Sequence, residues 1–451
     1  MTAAPRSAPW LGYRAVWRWH FYAGLISVPL ILVLALTGAV YLFKPQIEAA
    51  LDRPYRGLAE PARMLPADRL MMAAERAMPG ALVKSYIVPR AAGDAAQLLM
   101  AQGSKTTRLY IHPGLGTEMA RQDDSSRPME VVKDIHGELL AGTTGAVLVE
   151  LAASWGFVML ATGLYLWWPR RRTDWKGIFW PRLFLNGRPY WRDIHATTGF
   201  WVSGFALILL ATSLPWTGIW GDTFKAVRSH FTEAEADWPN GANAHAGHHM
   251  ATGPAADMGG NAWRQTPAEP RLADASVTLQ QVIDRIRPMG LAWPVEITPP
   301  TARTPEWTVR SMAQDRTARV TLRYDAMSGM LLGREDFADK PAVDRVVGVG
   351  VALHEGQLFG LANQLLGLLT AAGLMLLAAS AILLWWRRRP VGALGAPEPE
   401  AAARLPRGLI LLLAVLALLL PLLAASLIAT ALFDRLLLPR LPKLGAWLGA
   451  R

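Results

Sequence analysis

Four of the nine histidines stand at repeated spacings in a chain that contains no cysteine. His136 and His354 are each followed six residues on by glycine (Gly142, Gly360) and 31 residues on by a Trp-Trp pair (Trp167-Trp168, Trp385-Trp386), with arginines beyond. His20 and His195 each have glycine at +4 (Gly24, Gly199) and threonine at +17 (Thr37, Thr212). Lack of thiols rules out disulfides, thiolate-ligated iron–sulfur clusters, covalent c-type haem and cysteine zinc sites. Neutral imidazole remains as a good iron ligand, and two histidines at each of two levels suit two bis-histidine b-type haems. The neighbouring glycines would let a flat macrocycle approach the helix backbone. Arg18 and Arg192, beside one pair, are candidates to bind its propionates.

One histidine at a membrane edge is as well explained by a bond to water or lipid, whereas four at matched places are harder to dismiss. A di-metal centre or a proton relay built on the same imidazoles lacks Asp or Glu partners deep in the apolar runs. Asp134, Glu138, Asp193 and Glu355 sit at the edges, where they could orient imidazoles. Thr37, Thr162, Thr212 and Ser380 read as hydroxyls bonded to their own helix backbone or packed between helices. A further group, His245, His248, His249 and Met250 with Met258 beyond, falls in a Gly/Ala-rich insertion at 239–262. His and Met together suit copper better than hard cations, and the competing reading is an insertion with no metal role. His112 and His230 are isolated and read as structural or solvated.

The elements that must position these residues are apolar runs of membrane-span length, roughly 20 residues each. The fold class is therefore an α-helical polytopic membrane protein with four repeated spans, a fifth apolar run, two periplasmic α+β modules and an internal duplication. Residues 1–46 form a tail and span 1, 47–133 module 1, 134–169 span 2, 170–190 a loop and 191–216 span 3. Module 2 follows at 217–350, span 4 at 351–386, a linker at 387–407, span 5 at 408–434 and a tail at 435–451. In the modules, helices are expected at ADRLMMAAERAM and VTLQQVIDRI. Strands are expected at ALVKSYIVP, AAQLLMAQ, TTRLYIHP, LAWPVEI, EWTVRSM, ARVTLRYD and MSGMLLGRE.

The formal net charge of +11 is concentrated beside the spans, in RRR at 170–172 and 387–389 and in Arg6, Arg14 and Arg18. That is the positive-inside pattern and not a nucleic-acid surface. It places these segments in the cytoplasm, His20 and His195 at the inner level, and His136, His354 and both modules at the outer. No small-residue cleavage site follows the first span, which reads as uncleaved. The fifth run conflicts with the charge rule, because one full crossing carries Arg435, Arg440, Lys443 and Arg451 outside. A tail lying along the membrane surface is the alternative.

WRWHFYAGL, HGELLAG, WRDIHATTGFW, LHEGQLFG and the WWPRRR and WWRRRP ends together resemble the PepSY-associated transmembrane family, also called iron-regulated membrane proteins. The resemblance covers about residues 12–390 and extends to ferric-siderophore reductases of the FoxB type. It implies a di-haem b protein of the bacterial cytoplasmic membrane, with His20, His136, His195 and His354 as haem ligands, passing electrons outward to a ferric siderophore. No dinucleotide fingerprint is present, so the expected donor is another protein or a quinol. Two other functions fit the same residues: a haem-free, membrane-anchored binding or regulatory protein, and a cupric reductase or copper-handling protein using the His/Met insertion.

Overall fold

The computed structural model describes residues 12–59, 63–169, 176–236, 268–398 and 406–449. His245, His248, His249, Met250 and the rest of the 239–262 insertion lie outside the described residues. The chain divides into two compact units. One gathers Met1–Ala39, Asp134–Ser229 and Leu366–Arg451; the other gathers Val40–Lys133 and His230–Leu365.

The first unit is helical. Its long helices are α1 (Tyr13–Tyr41), α5 (Gly142–Trp167), α6 (Gly187–Ser213) and α10 (Leu361–Trp386). These four, α6 with its extension to Trp216, and a fifth stretch at Pro421–Arg440 are long and apolar enough to cross a membrane. With this many spans the chain is a multi-pass membrane protein. At one end of the unit the indole N–H groups of Trp167 and Trp385 close the loops that follow their helices, donating to the carbonyls of Ile178 (2.9 Å) and Leu394 (2.8 Å).

The fifth apolar run differs from the expected single span. It breaks into α11 (Arg407–Leu419) and α12 (Pro421–Leu432), with Leu420 extended between them. Pro421 has no N–H and pushes the residue before it out of the helical region, so the break sits where the sequence puts proline. The Trp220 indole satisfies the Leu419 carbonyl at the break (3.0 Å). The chain then returns through Phe433–Leu437 and Leu438–Arg440 to a short helix, α13 (Pro442–Leu448). Leu448 and Gly449 accept from Tyr22 (2.6 Å) and Arg18 (2.8 Å) on the opening turns of α1. α11 and α12 are thus two arms of a hairpin whose tip meets Trp220, and the tail comes back beside the start of α1. Gly449 and the opening turns of α1 lie at one end of the bundle, which removes the conflict that a single crossing created.

The second unit is one antiparallel sheet of eight strands in the order β4-β3-β2-β1-β5-β6-β7-β8. Strands β1 (Leu82–Ile87), β2 (Ala96–Gln102), β3 (Lys105–Ile111) and β4 (Glu118–Asp123) come from the first soluble region. β5 (Val295–Thr298), β6 (Glu306–Ser311), β7 (Val320–Asp325) and β8 (Leu331–Asp336) come from the second. The expected strands all form, and β4 is additional. The expectation of two separate modules is corrected: β1 and β5 pair, with Tyr86 opposite Ile297 and Ile87 opposite Glu296. Each half covers the other's open edge, which would otherwise present unpaired backbone groups. One core runs through both halves, with Leu98, Leu109, Ile297, Trp307 and Leu322 buried. Helices α3 (Ala67–Ala77) and α8 (Leu279–Ile286) lock across the seam. Asp68 accepts from the Leu279 and Gln280 N–H groups (2.9 and 3.1 Å), and Gln280 accepts from the Ala67 N–H (2.9 Å). Beside the sheet, Arg127 joins α2 (Lys44–Leu51) to β3 through Glu48 and the Tyr110 hydroxyl (2.7 Å).

Candidate functional site

His20 on α1 and His195 on α6 face each other with ring centres 6.5 Å apart and ring planes at 82°. Metal–imidazole bonds of about 2.0–2.1 Å on opposite sides of one ion would hold two ring centres roughly 6 Å apart. At the observed spacing both rings could ligate a single ion.

Hydrogen bonds decide which nitrogen of each ring is available. The Thr162 hydroxyl gives its only proton to the Val158 carbonyl (2.7 Å), so it accepts from His20 Nδ1 (2.9 Å). The Thr37 hydroxyl donates to the Val33 carbonyl (2.7 Å) and accepts in the same way from His136 Nδ1 (3.0 Å). His195 Nδ1 lies 3.2 Å from the Leu377 carbonyl, which can only accept, and 3.0 Å from the Ser380 hydroxyl. All three rings are thereby assigned as Nδ1–H tautomers with the lone pair on Nε2, the form that ligates metal while its other nitrogen is held. Two glycines complete the fit. Gly163 and Gly38 follow Thr162 and Thr37, and a Cβ on either would come within 3.3 Å of His20 Cε1 or 3.2 Å of His136 Cε1.

The hydroxyls correct the sequence reading. They do bond their own helices as expected, but an oxygen with two lone pairs also orients an imidazole. The edge carboxylates do not take that role for His20 and His195. Asp193 pairs with Arg182 (2.7 Å) and Arg192 (3.0 Å), and Glu355 pairs with Arg316 (3.5 Å). Arg18 donates to the carbonyls of Pro397 (2.6 Å) and Gly449 (2.8 Å). Both arginines expected at propionates thus stand close to the His20 end, each with a protein partner.

The glycines at +6 also differ from expectation. His136 lies in α4 (Pro128–Glu138) and His354 ends α9 (Ala342–His354), so neither is on the span that follows it. Between helix and span the backbone turns left-handed, at Leu139, Leu140 and Gly142 (φ 51°, 57° and 55°) and at Gly356 and Gly360 (φ 74° and 58°). Gly142 and Gly360 serve this turn. Gly145 then lets α5 start against the Glu138 carbonyl, where no Cβ fits.

One side chain was missed. Glu150, buried in the middle of α5, accepts from the Ile219 and Trp220 N–H groups (2.9 and 3.0 Å) at the start of α7 (Gly218–Ala236). A carboxylate inside a span costs about 3 kcal/mol on insertion, and two N–H donors at a helix N-terminus offset part of that. Its signal was a lone acid in an apolar run. His112 was read correctly as structural, accepting at Nδ1 from the Gly114 and Leu115 N–H groups (3.2 Å each). His230 falls within α7.

Among the described residues no three of His, Asp and Glu gather to hold a bare ion. No curated protein was found to match this chain. The family model for the PepSY-associated TM region matches residues 17–388, most of the length and all four repeated histidines, and the chain belongs to that family.

Proposed function

We propose that this protein is a di-haem b electron-transfer protein of the bacterial cytoplasmic membrane that reduces a ferric siderophore outside it. The observation that carries the reading is the His20–His195 pair, 6.5 Å apart with both Nδ1 atoms committed to acceptors. These two residues would hold one haem through Nε2. His136, oriented by Thr37, and His354 would hold the second, on the strength of their matched places in the sequence and of His136's tautomer. Bound in this way, haem supplies one-electron carriage between a donor on the cytoplasmic side and an acceptor on the other. The protein's part is to fix the ligand nitrogen, to exclude water with the surrounding spans, and to present the soluble sheet to the acceptor. Fe(III) in the siderophore is the substrate, and its reduction to Fe(II) weakens the chelate and frees the iron.

A pyridine haemochrome assay on the purified protein, beside single His20, His136, His195 and His354 to Ala variants, tests the reading. About two b-type haems per chain in the wild type, with each variant losing one of them, is the expected result. A wild type that stays colourless after haem supplementation would move the function to a haem-free binding or regulatory protein.

A further inference from the structure

The soluble unit contains a guanidinium that the proposed function does not use. A turn at Arg316–Ala318, pinned by Asp315 accepting from the Thr317 N–H (2.9 Å) and hydroxyl (2.7 Å), packs against α9, whose last residue is His354. Arg316 is buried and reaches Glu355 (3.5 Å). The side chain of Arg319, three residues on, makes one hydrogen bond among the described residues, from Nε to the Ala313 carbonyl (2.8 Å), and no ion pair there. Neither of its terminal amino groups has a hydrogen-bond partner among the described residues. Two cations in this corner thus share two carboxylates, Glu355, which Arg316 reaches, and Glu296, neither of which pairs with the Arg319 guanidinium within 4.0 Å. Burial, and then repulsion from Arg316, pull the Arg319 pKa down to about 10, while Glu355 acts the other way. A partly buried guanidinium with spare donors and no directly paired carboxylate has room for one, and its planar fork matches a carboxylate.

We propose that Arg319, backed by Arg316, is a carboxylate-binding site beside His354. The carboxylate has two possible sources with the same chemistry: a propionate of the group held by His354, or a carboxylate on the incoming ferric chelate. The first source rests on the function proposed above; the second does not.

Two measurements on the full-length protein separate them, using Arg319→Gln and the charge-retaining Arg319→Lys, with thermal melts to show that both fold. If the carboxylate belongs to the acceptor, calorimetry with ferric citrate gives binding that Arg319→Gln weakens about tenfold or more, and Arg319→Lys restores part of it. If it is a propionate, Arg319→Gln instead shifts the midpoint potential and absorption of the haem that His354→Ala removes, and citrate binding does not depend on Arg319. Arg319→Gln indistinguishable from wild type in both measurements overturns the site. A wild type without haem would overturn the proposed function, and the calorimetry alone would then decide this site.

Discussion

At the level of single residues, the proposed function puts the chemistry on the histidines, and the hydroxyls orient them. Spacing alone marked His20, His136, His195 and His354, because a repeated offset survives in one dimension. Thr162 and Ser380 were visible only as polar positions in apolar helices, since their contacts with His20 and His195 join residues 142 and 185 positions apart. An acceptor on Nδ1–H makes the imidazole a stronger donor and fixes its orientation, and loss of such a partner typically costs about 10–100-fold in metal affinity. Thr162→Val keeps the shape and removes the acceptor. It is expected to fold, to weaken haem retention by about that factor in a haem-transfer titration, and to raise the potential of one haem, with Thr162→Ser restoring both. Unchanged retention and potential in Thr162→Val would remove the hydroxyl from the account.

At the level of elements, the apolar runs were legible because 20 or so hydrophobic residues have few other fates. Their ends were less so. The left-handed turns at Gly142 and Gly360 separate each histidine from its span, a distinction that a continuous reading of HGELLAG and LHEGQLFG does not draw. β4 escaped notice because it is a polar edge strand, with charged residues that discourage further pairing. Pro421 was present in the fifth run, but the hairpin it creates depends on the partners of Leu419, Leu448 and Gly449. The hairpin makes a prediction of its own: reporter proteins fused to the N-terminus and to the C-terminus should report the same side of the membrane. Reports from opposite sides would restore a single crossing.

On the scale of the whole molecule, the two soluble regions were each recognised as helix plus strands, yet their union was not. β1 and β5 pair across about 200 residues of chain, and nothing in either strand's own pattern names the other. The consequence is a single eight-stranded sheet where two α+β modules were expected, with one continuous core. The spans form a separate compact unit that contains His20, His136 and His195. The central claim is that electrons pass through this unit from one side of a membrane to the other. It is tested most directly in sealed vesicles containing the purified protein, with a ferric chelate and an Fe(II)-specific dye trapped inside and a membrane-impermeant reductant outside. The account predicts dye colour in vesicles carrying the wild type and only background colour with His20→Ala or His195→Ala. Colour that forms as fast with those variants as with the wild type would contradict it.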